Sequence, residues 1–231
     1  MMLWLRSALF LLWFFLITAI LSLIFLPVLV LPRAATVWLA RLWSRATLWG
    51  LKVFTGIGFE VRGVPPKGAV LVASKHMSMW DTLALYLTLD APAFVLKREL
   101  LRIPFYGWFL WKATAIAIDR AAGASALRKM ARTARDVLAE RRSILIFPEG
   151  TRKKPGAVPD YKPGVAGLYG MLGVECVPVA LNSGVYWTGF LKRPGTIVLQ
   201  FLEPIPPGLK RDDFMALLQE RIERATTVLL S

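Results

Sequence analysis

The sequence predicts an α/β fold, a mixed sheet with helices packed on it, preceded by membrane-embedded helices at the amino terminus. Three observations carry this reading. From residue 57 onward, short apolar runs rich in Val and Ile alternate with longer helix-forming stretches, the pattern of strands and their covering helices. From Ser7 to Pro32 there is no charged side chain. The chain is also 56% hydrophobic and only 19% charged, too apolar for a disordered chain.

The length of 231 residues suits one domain of ordinary size plus an accessory segment. We divide it into a hydrophobic membrane-anchoring helical segment, 1–56, and an α/β domain, 57–231. Basic residues outnumber acidic ones 29 to 15, a net charge of +14, which calls for an anionic partner. With so much apolar sequence the expected partner is the phospholipid bilayer. Nucleic acid is disfavoured, because much of the excess charge lies beside tryptophans rather than in a Lys/Arg-rich arm. The single cysteine, Cys176, excludes an intrachain disulfide and any cysteine-based metal cluster. It sits in an apolar run and reads as a small buried hydrophobe.

Leu9 to Leu31 is long enough to cross a bilayer core, which needs about 20 apolar residues. Pro27 and Pro32 predict a kink or stop near its end, and Trp4 and Trp13 suit the membrane interface. Arg33 to Phe54 differs in character. Arg33, Arg41, Arg45 and Lys52 are interleaved with Trp38, Trp43 and Trp49, which suits a helix lying among headgroups. A core helix with snorkelling arginines is the alternative. Basic residues after the apolar run outnumber those before it, so the bulk of the protein is expected on the cytoplasmic side of the inner membrane. One true span and a re-entrant helical pair both fit this pattern.

In the domain, Ile57–Arg62 alternates as a strand and 63–68 is a turn. Residues 69–73 form a buried strand, followed by a loop holding the only histidine, His76, and a helix from about Trp80 to Leu89. Strands are expected at 93–96, 114–118, 143–147, 176–181 and 196–202. Helices are expected at 99–112 (broken or begun near Pro104), 124–140, 165–172 and 212–229.

Asp81 follows His76 by five positions. On a continuous helix that step is about 500°, leaving the two side chains about 140° apart. They meet only if His76 lies on the loop leaving the strand and Asp81 in the first helical turn, with Ser78 as a plausible N-cap. Asp81 then fixes the imidazole tautomer and leaves the other nitrogen to take a proton. There is no Gly-x-Ser-x-Gly nucleophile elbow, and Cys176 lies in apolar surroundings. The proton is therefore expected to come from a substrate hydroxyl. A second constellation, Phe147-Pro148-Glu149-Gly150-Thr151-Arg152, ends a buried strand, where open α/β sheets place ligands. Gly150 admits close backbone approach, and Arg152 offers a fork that matches a phosphate. Arg120 ends another strand, Lys97 begins a helix after a third, and both can converge on the same anion.

Taken together these residues resemble the glycerolipid acyltransferase family. The resemblance rests on four blocks in order: His76 with Asp81; Lys97-Arg98-Glu99-Leu100 with Pro104, Gly107 and Ile118-Asp119-Arg120; Phe147 to Arg152; and Val177-Pro178-Val179-Ala180. Lys75 and Met77 depart from the family's usual neighbours of the histidine. The resemblance implies that His76 is the general base on the 2-hydroxyl of a lysophosphatidic acid and that Asp81 orients it. The donor would be acyl-CoA or an acyl-carrier protein. The phosphate would be held by Glu149, Gly150, Thr151 and Arg152, helped by Arg120 and Lys97. The product would be phosphatidic acid, with no metal and no prosthetic group. An acceptor such as lyso-ornithine lipid, or a non-catalytic lipid-binding role, are the competing expectations.

Overall fold

The computed structural model describes residues 1–103, 106–113, 115–118 and 123–231. The chain opens with two long helices, α1 (Met2–Ile24) and α2 (Arg33–Thr55), joined by a 3-10 turn at Leu26–Val30. Pro27 falls in the first positions of that turn, where its missing N–H costs nothing, so the apolar run stops being helical before its end. Strands β1 (Ile57–Arg62) and β2 (Leu71–Ser74) follow, then α3 (Trp80–Thr88) and β3 (Ala93–Lys97). The helix expected over 99–112 is two pieces, a 3-10 turn at Arg98–Arg102 and α4 (Tyr106–Lys112). Next come β4 (Ile116–Ile118), α5 (Gly123–Ala139), β5 (Ile144–Ile146), α6 (Gly164–Leu172) and β6 (Cys176–Leu181). A one-turn helix α7 (Ser183–Tyr186) and a small hairpin, β7 (Trp187–Thr188) and β8 (Leu191–Lys192), were not expected. Strand β9 (Gly195–Phe201) and α8 (Arg211–Leu230) close the chain.

Seven strands form one sheet in the order β1-β9-β6-β2-β5-β3-β4. From β6 to β4 every pairing is parallel. β9 runs antiparallel to β6 and parallel to β1, so the sheet is mixed, as the sequence predicts. The carboxyl ends of β2, β3, β4, β5 and β6 therefore lie along one edge, which is where a parallel sheet gathers ligand-binding loops.

Period-two alternation divides the core into two layers. Leu71 and Ala73 of β2, Ile144 and Ile146 of β5, and Cys176 of β6 pack on one face with Met130, Ala134, Leu168, Phe214, Leu218 and Ile222 from α5, α6 and α8. Val72, Leu145, Val177 and Val179 pack on the other face with Trp80, Leu83 and Leu85 of α3 and with Phe10, Leu48 and Leu51 of α1 and α2. Residues on either side of position 56 thus share one hydrophobic cluster.

The α1–α2 hairpin lies along the domain and is tied to it at both ends. At one end Arg6 of α1 donates to the Phe54 carbonyl of α2 (2.9 Å), closing the hairpin, and the Lys192 N–H of the domain donates to Ser7 Oγ (3.0 Å). At the other end Leu21, Val28 and Leu39 cluster with Phe109 of α4, and Arg33 pairs with Glu140 just past α5. Trp13 staples the hairpin, since its indole donates to the Ala46 carbonyl (3.0 Å). The two helices approach so closely that a Cβ on Gly50 would lie 2.1 Å from the Trp13 ring. α2 has two unlike faces. Thr36, Leu39, Leu48 and Leu51 face inward, while Trp38, Arg45, Trp49 and Lys52 form an exposed stripe. α1 is long and apolar enough to cross a membrane, and it is the only such helix among the described residues.

Candidate active site

β2 ends at Ser74, and the chain leaves the sheet through Lys75 and His76 before α3 begins at Trp80. Asp81 therefore sits in the first turn of α3, and the loop folds back so that His76 Nδ1 lies 2.9 Å from Asp81 Oδ2. The same oxygen accepts the backbone N–H groups of Met77 (2.7 Å) and Ser78 (2.9 Å). Ser78 Oγ in turn accepts the Trp80 N–H (3.2 Å), a reciprocal arrangement close to the expected cap although the cap position itself is Met79. Asp81 Oδ1 meets the hydroxyls of Ser78 (3.2 Å) and Ser183. With five donor groups converging on it, the carboxylate is fixed in place and its hydrogen-bonding capacity is met although its side chain is fully buried. An anion at Nδ1 keeps the proton on that nitrogen, which leaves Nε2 as the basic one. Phe147 stacks beneath the imidazole, ring centroids 3.9 Å apart and planes inclined by 17°, and fixes the plane in which Nε2 points.

Ser183 was missed in the sequence. It lies just past β6, on the same sheet edge as the His76 loop, and reaches Asp81 across 102 positions of chain. The polar pair Asn182-Ser183 directly after a fully apolar strand is its one local signal, and strand order is needed to read it.

β5 ends at Ile146, and the turn through Gly150 follows, with Gly150 at φ 64°, a left-handed conformation that disfavours other residues. Thr151 and Arg152 are exposed on this turn. Lys97, at the end of the neighbouring β3, is exposed as well and pairs in register with Ile118, the last residue of β4. Arg120 lies outside the described residues. The turn is clipped to the His76 loop through the Lys153 N–H, which donates to the His76 carbonyl (2.8 Å).

Glu149 has a different place from the one its sequence context predicts. It is buried, with Oε1 accepting from Lys75 Nζ (2.8 Å) and Oε2 facing the His76 N–H (3.4 Å). Burial pushes its carboxyl above the usual range, and Lys75 pulls it back toward ionisation. Both oxygens are committed to the protein, and a carboxylate would repel a phosphate. Glu149 therefore anchors the His76 loop and is not placed to hold an anion, contrary to the expectation from its sequence context.

Comparison with known proteins agrees with this geometry. The sequence model of the acyltransferase family matches residues 58–182. The 1-acyl-sn-glycerol-3-phosphate acyltransferase of Pseudomonas aeruginosa is 39% identical over 173 residues, which cover 73% of this chain and 67% of that protein. The human 1-acyl-sn-glycerol-3-phosphate acyltransferase alpha is 33% identical over 75% of this chain, and the match spans 64% of its length, just under two thirds. The crystal structure of the 1-acyl-sn-glycerophosphate acyltransferase from Thermotoga maritima superposes with a TM-score of 0.79, covering 98% of this chain and 97% of that one at 21% identity, which establishes the shared fold. On the sequence matches, with a His–Asp pair at the head of the matched region, the chain belongs to the acyltransferase family.

Proposed function

We propose that this protein transfers an acyl chain to the 2-hydroxyl of 1-acyl-sn-glycerol-3-phosphate and so makes phosphatidic acid. The observation that carries the proposal is the His76–Asp81 pair, with its carboxylate saturated by donors and one imidazole nitrogen left to act as a base. His76 Nε2 takes the hydroxyl proton as the oxygen attacks the thioester carbonyl of the donor. The C–O bond forms, the C–S bond breaks, and the leaving thiolate recovers the proton from the imidazolium. The Asp81 carboxylate, 2.9 Å from Nδ1, stabilises that imidazolium while it lasts. No step needs an enzyme nucleophile, a metal or a prosthetic group. Arg152, Thr151 and the Gly150 turn, with Lys97, are assigned to the glycerol phosphate, because the adjacent ends of β5 and β3 bring these groups to the same edge as the base; Arg120 is assigned with them on the family resemblance alone. The donor is acyl-CoA or an acyl-carrier protein.

The exposed apolar face of α1 and the Trp–Arg–Lys stripe of α2 are assigned to the membrane, with the catalytic edge on the cytoplasmic side. This brings the site to the lipid that carries its acceptor.

The test is purified protein with labelled acyl-CoA or acyl-carrier protein and a panel of lysolipids, read by product identity. Phosphatidic acid is expected from lysophosphatidic acid with wild type, and a rate lower by about 10²–10⁴-fold with His76→Ala. Preference for a phosphate-free acceptor, or an active His76→Ala enzyme, would overturn the assignment.

A further inference from the structure

Lys75, the residue directly before His76, carries a buried ammonium with all three of its protons engaged. Nζ lies 2.8 Å from Glu149 Oε1, and 2.8 and 3.0 Å from the two oxygens of Glu223. Glu223 belongs to α8, 148 positions away and outside the residues matched by the family. Its Oε1 also accepts the hydroxyl of Tyr161 (2.8 Å), whose own ionisation is strongly suppressed by burial and by this neighbouring carboxylate. The Lys75 side chain is 3% exposed, that of Glu149 0% and that of Glu223 23%.

This cluster does not reach the imidazole directly. It acts on the peptide that carries it. Glu149 Oε2 faces the His76 N–H, and the Lys75 N–H is fixed on the Val179 carbonyl of β6 (2.9 Å). A buried ammonium with one carboxylate removed draws the remaining one toward itself. Losing Glu223 would therefore pull Glu149 away from the His76 peptide and shift the loop that sets the direction of Nε2. Reaction rates are sensitive to such shifts, and a displacement of about 1 Å can lower a rate about 10²-fold.

We propose that Glu223, supported by Tyr161, is a positioning residue for acyl transfer, acting through Lys75 and Glu149 on the His76 loop. The proposal rests on His76 being the base. It gives the C-terminal helix a role in the chemistry as well as in the core, where Phe214, Leu218 and Ile222 already hold it.

The test compares Glu223→Gln, Lys75→Met and the double variant with wild type and His76→Ala. Lysophosphatidic acid and acyl-CoA serve as substrates, and rates are normalised to the folded fraction measured by circular dichroism. Glu223→Gln keeps the shape and one acceptor, so it is the variant most apt to fold. Its kcat is expected to fall about tenfold with KM for lysophosphatidic acid within about twofold, because the exposed cations do not depend on Glu223. The double variant is expected to lose no more kcat than the worse single one, since both side chains act through one group. Arg224→Ala, exposed on the same helix, serves as the control and is expected to leave kcat unchanged. A Glu223→Gln enzyme within twofold of wild type per folded molecule overturns the proposal, and so do losses that simply multiply in the double variant. An active His76→Ala enzyme defeats the reading of the site itself, and the proposal with it. A dead His76→Ala beside a normal Glu223→Gln defeats the proposal alone.

Discussion

At the end of β2, His76 and Asp81 occupy a place where each polar atom of the carboxylate meets a donor and the imidazole rests on Phe147. At the ends of β5 and β3, Thr151, Arg152 and Lys97 stand exposed on the same sheet edge. The contrast matches the roles proposed for the two regions. Proton transfer needs one nitrogen aimed in one direction with one tautomer, so its supports are buried and redundant. A phosphate is a large, symmetric charge that flexible cations can meet from several directions, so those cations can remain in water until it arrives. Damage to the buried region should therefore show in kcat, and damage to the exposed rim in KM.

The largest effect expected in this comparison is at Asp81, and its size depends on the substitution. In Asp81→Asn the side-chain oxygen should stay on the side of His76, because the N–H groups of Met77 and Ser78 require an acceptor there. The amide nitrogen would then face the Ser78 and Ser183 hydroxyls, which can rotate to accept. The tautomer survives and only the charge is lost, so we expect kcat to fall about 10²-fold. Asp81→Ala loses the tautomer as well and should fall about 10³-fold or more. Equal losses in the two variants, measured as kcat on lysophosphatidic acid, would mean that the backbone donors do not hold the orientation.

Much of this contrast can be read in the chain itself, though unevenly. The strands around the site are short apolar runs whose two-residue period survives in the core, as Leu71 and Val72 or Ile144 and Leu145 show by pointing to opposite layers. The His–Asp spacing is readable because a strand–loop–helix junction is the one local geometry that joins them. Lys75 and Glu149 are not readable in this way. Each sits within a motif, and sequence context assigns both to the ligand or to nothing. Their partner in the structure is Glu223, from the last helix, and no local pattern marks a carboxylate beside Ile222 as the counter-charge of a lysine so far back in the chain. The helical hairpin is half legible for a similar reason. Its apolarity signals a membrane, but its contribution of Phe10, Leu48 and Leu51 to the domain core is a tertiary fact.

Arg152→Ala tests the exposed side. A charge-assisted hydrogen bond to phosphate contributes about 1.5–3 kcal/mol, and solvent exposure places this one near the lower end. KM for lysophosphatidic acid should rise about tenfold with kcat within about threefold. Screening should imitate the mutation in wild type, since the Debye length shrinks to about 3 Å at 1 M salt. A variant that loses kcat while keeping KM would place Arg152 with the buried group and erase the contrast.

The smallest effect expected is a pH dependence of stability at Glu149, where the two regions join. Burial raises its folded-state pKa above the usual carboxylate range despite Lys75, so the native protein holds this proton more tightly than the unfolded chain does. The linkage has one sign. The contribution to stability is fully present below the unfolded carboxylate pKa, about 4.3, and is lost as pH rises through the higher folded value. Glu149→Gln removes that proton from consideration while keeping the shape. Melting temperatures of wild type should therefore decline relative to those of Glu149→Gln as pH is raised from 4 toward neutrality, by roughly a few degrees, the shift that about 1 kcal/mol produces in a domain of this size. Parallel melting curves would show that Lys75 compensates the burial completely. In that case Glu149 takes up its proton over the same pH range in the folded and unfolded chain, and the Lys75 contact offsets the whole cost of burying its carboxylate.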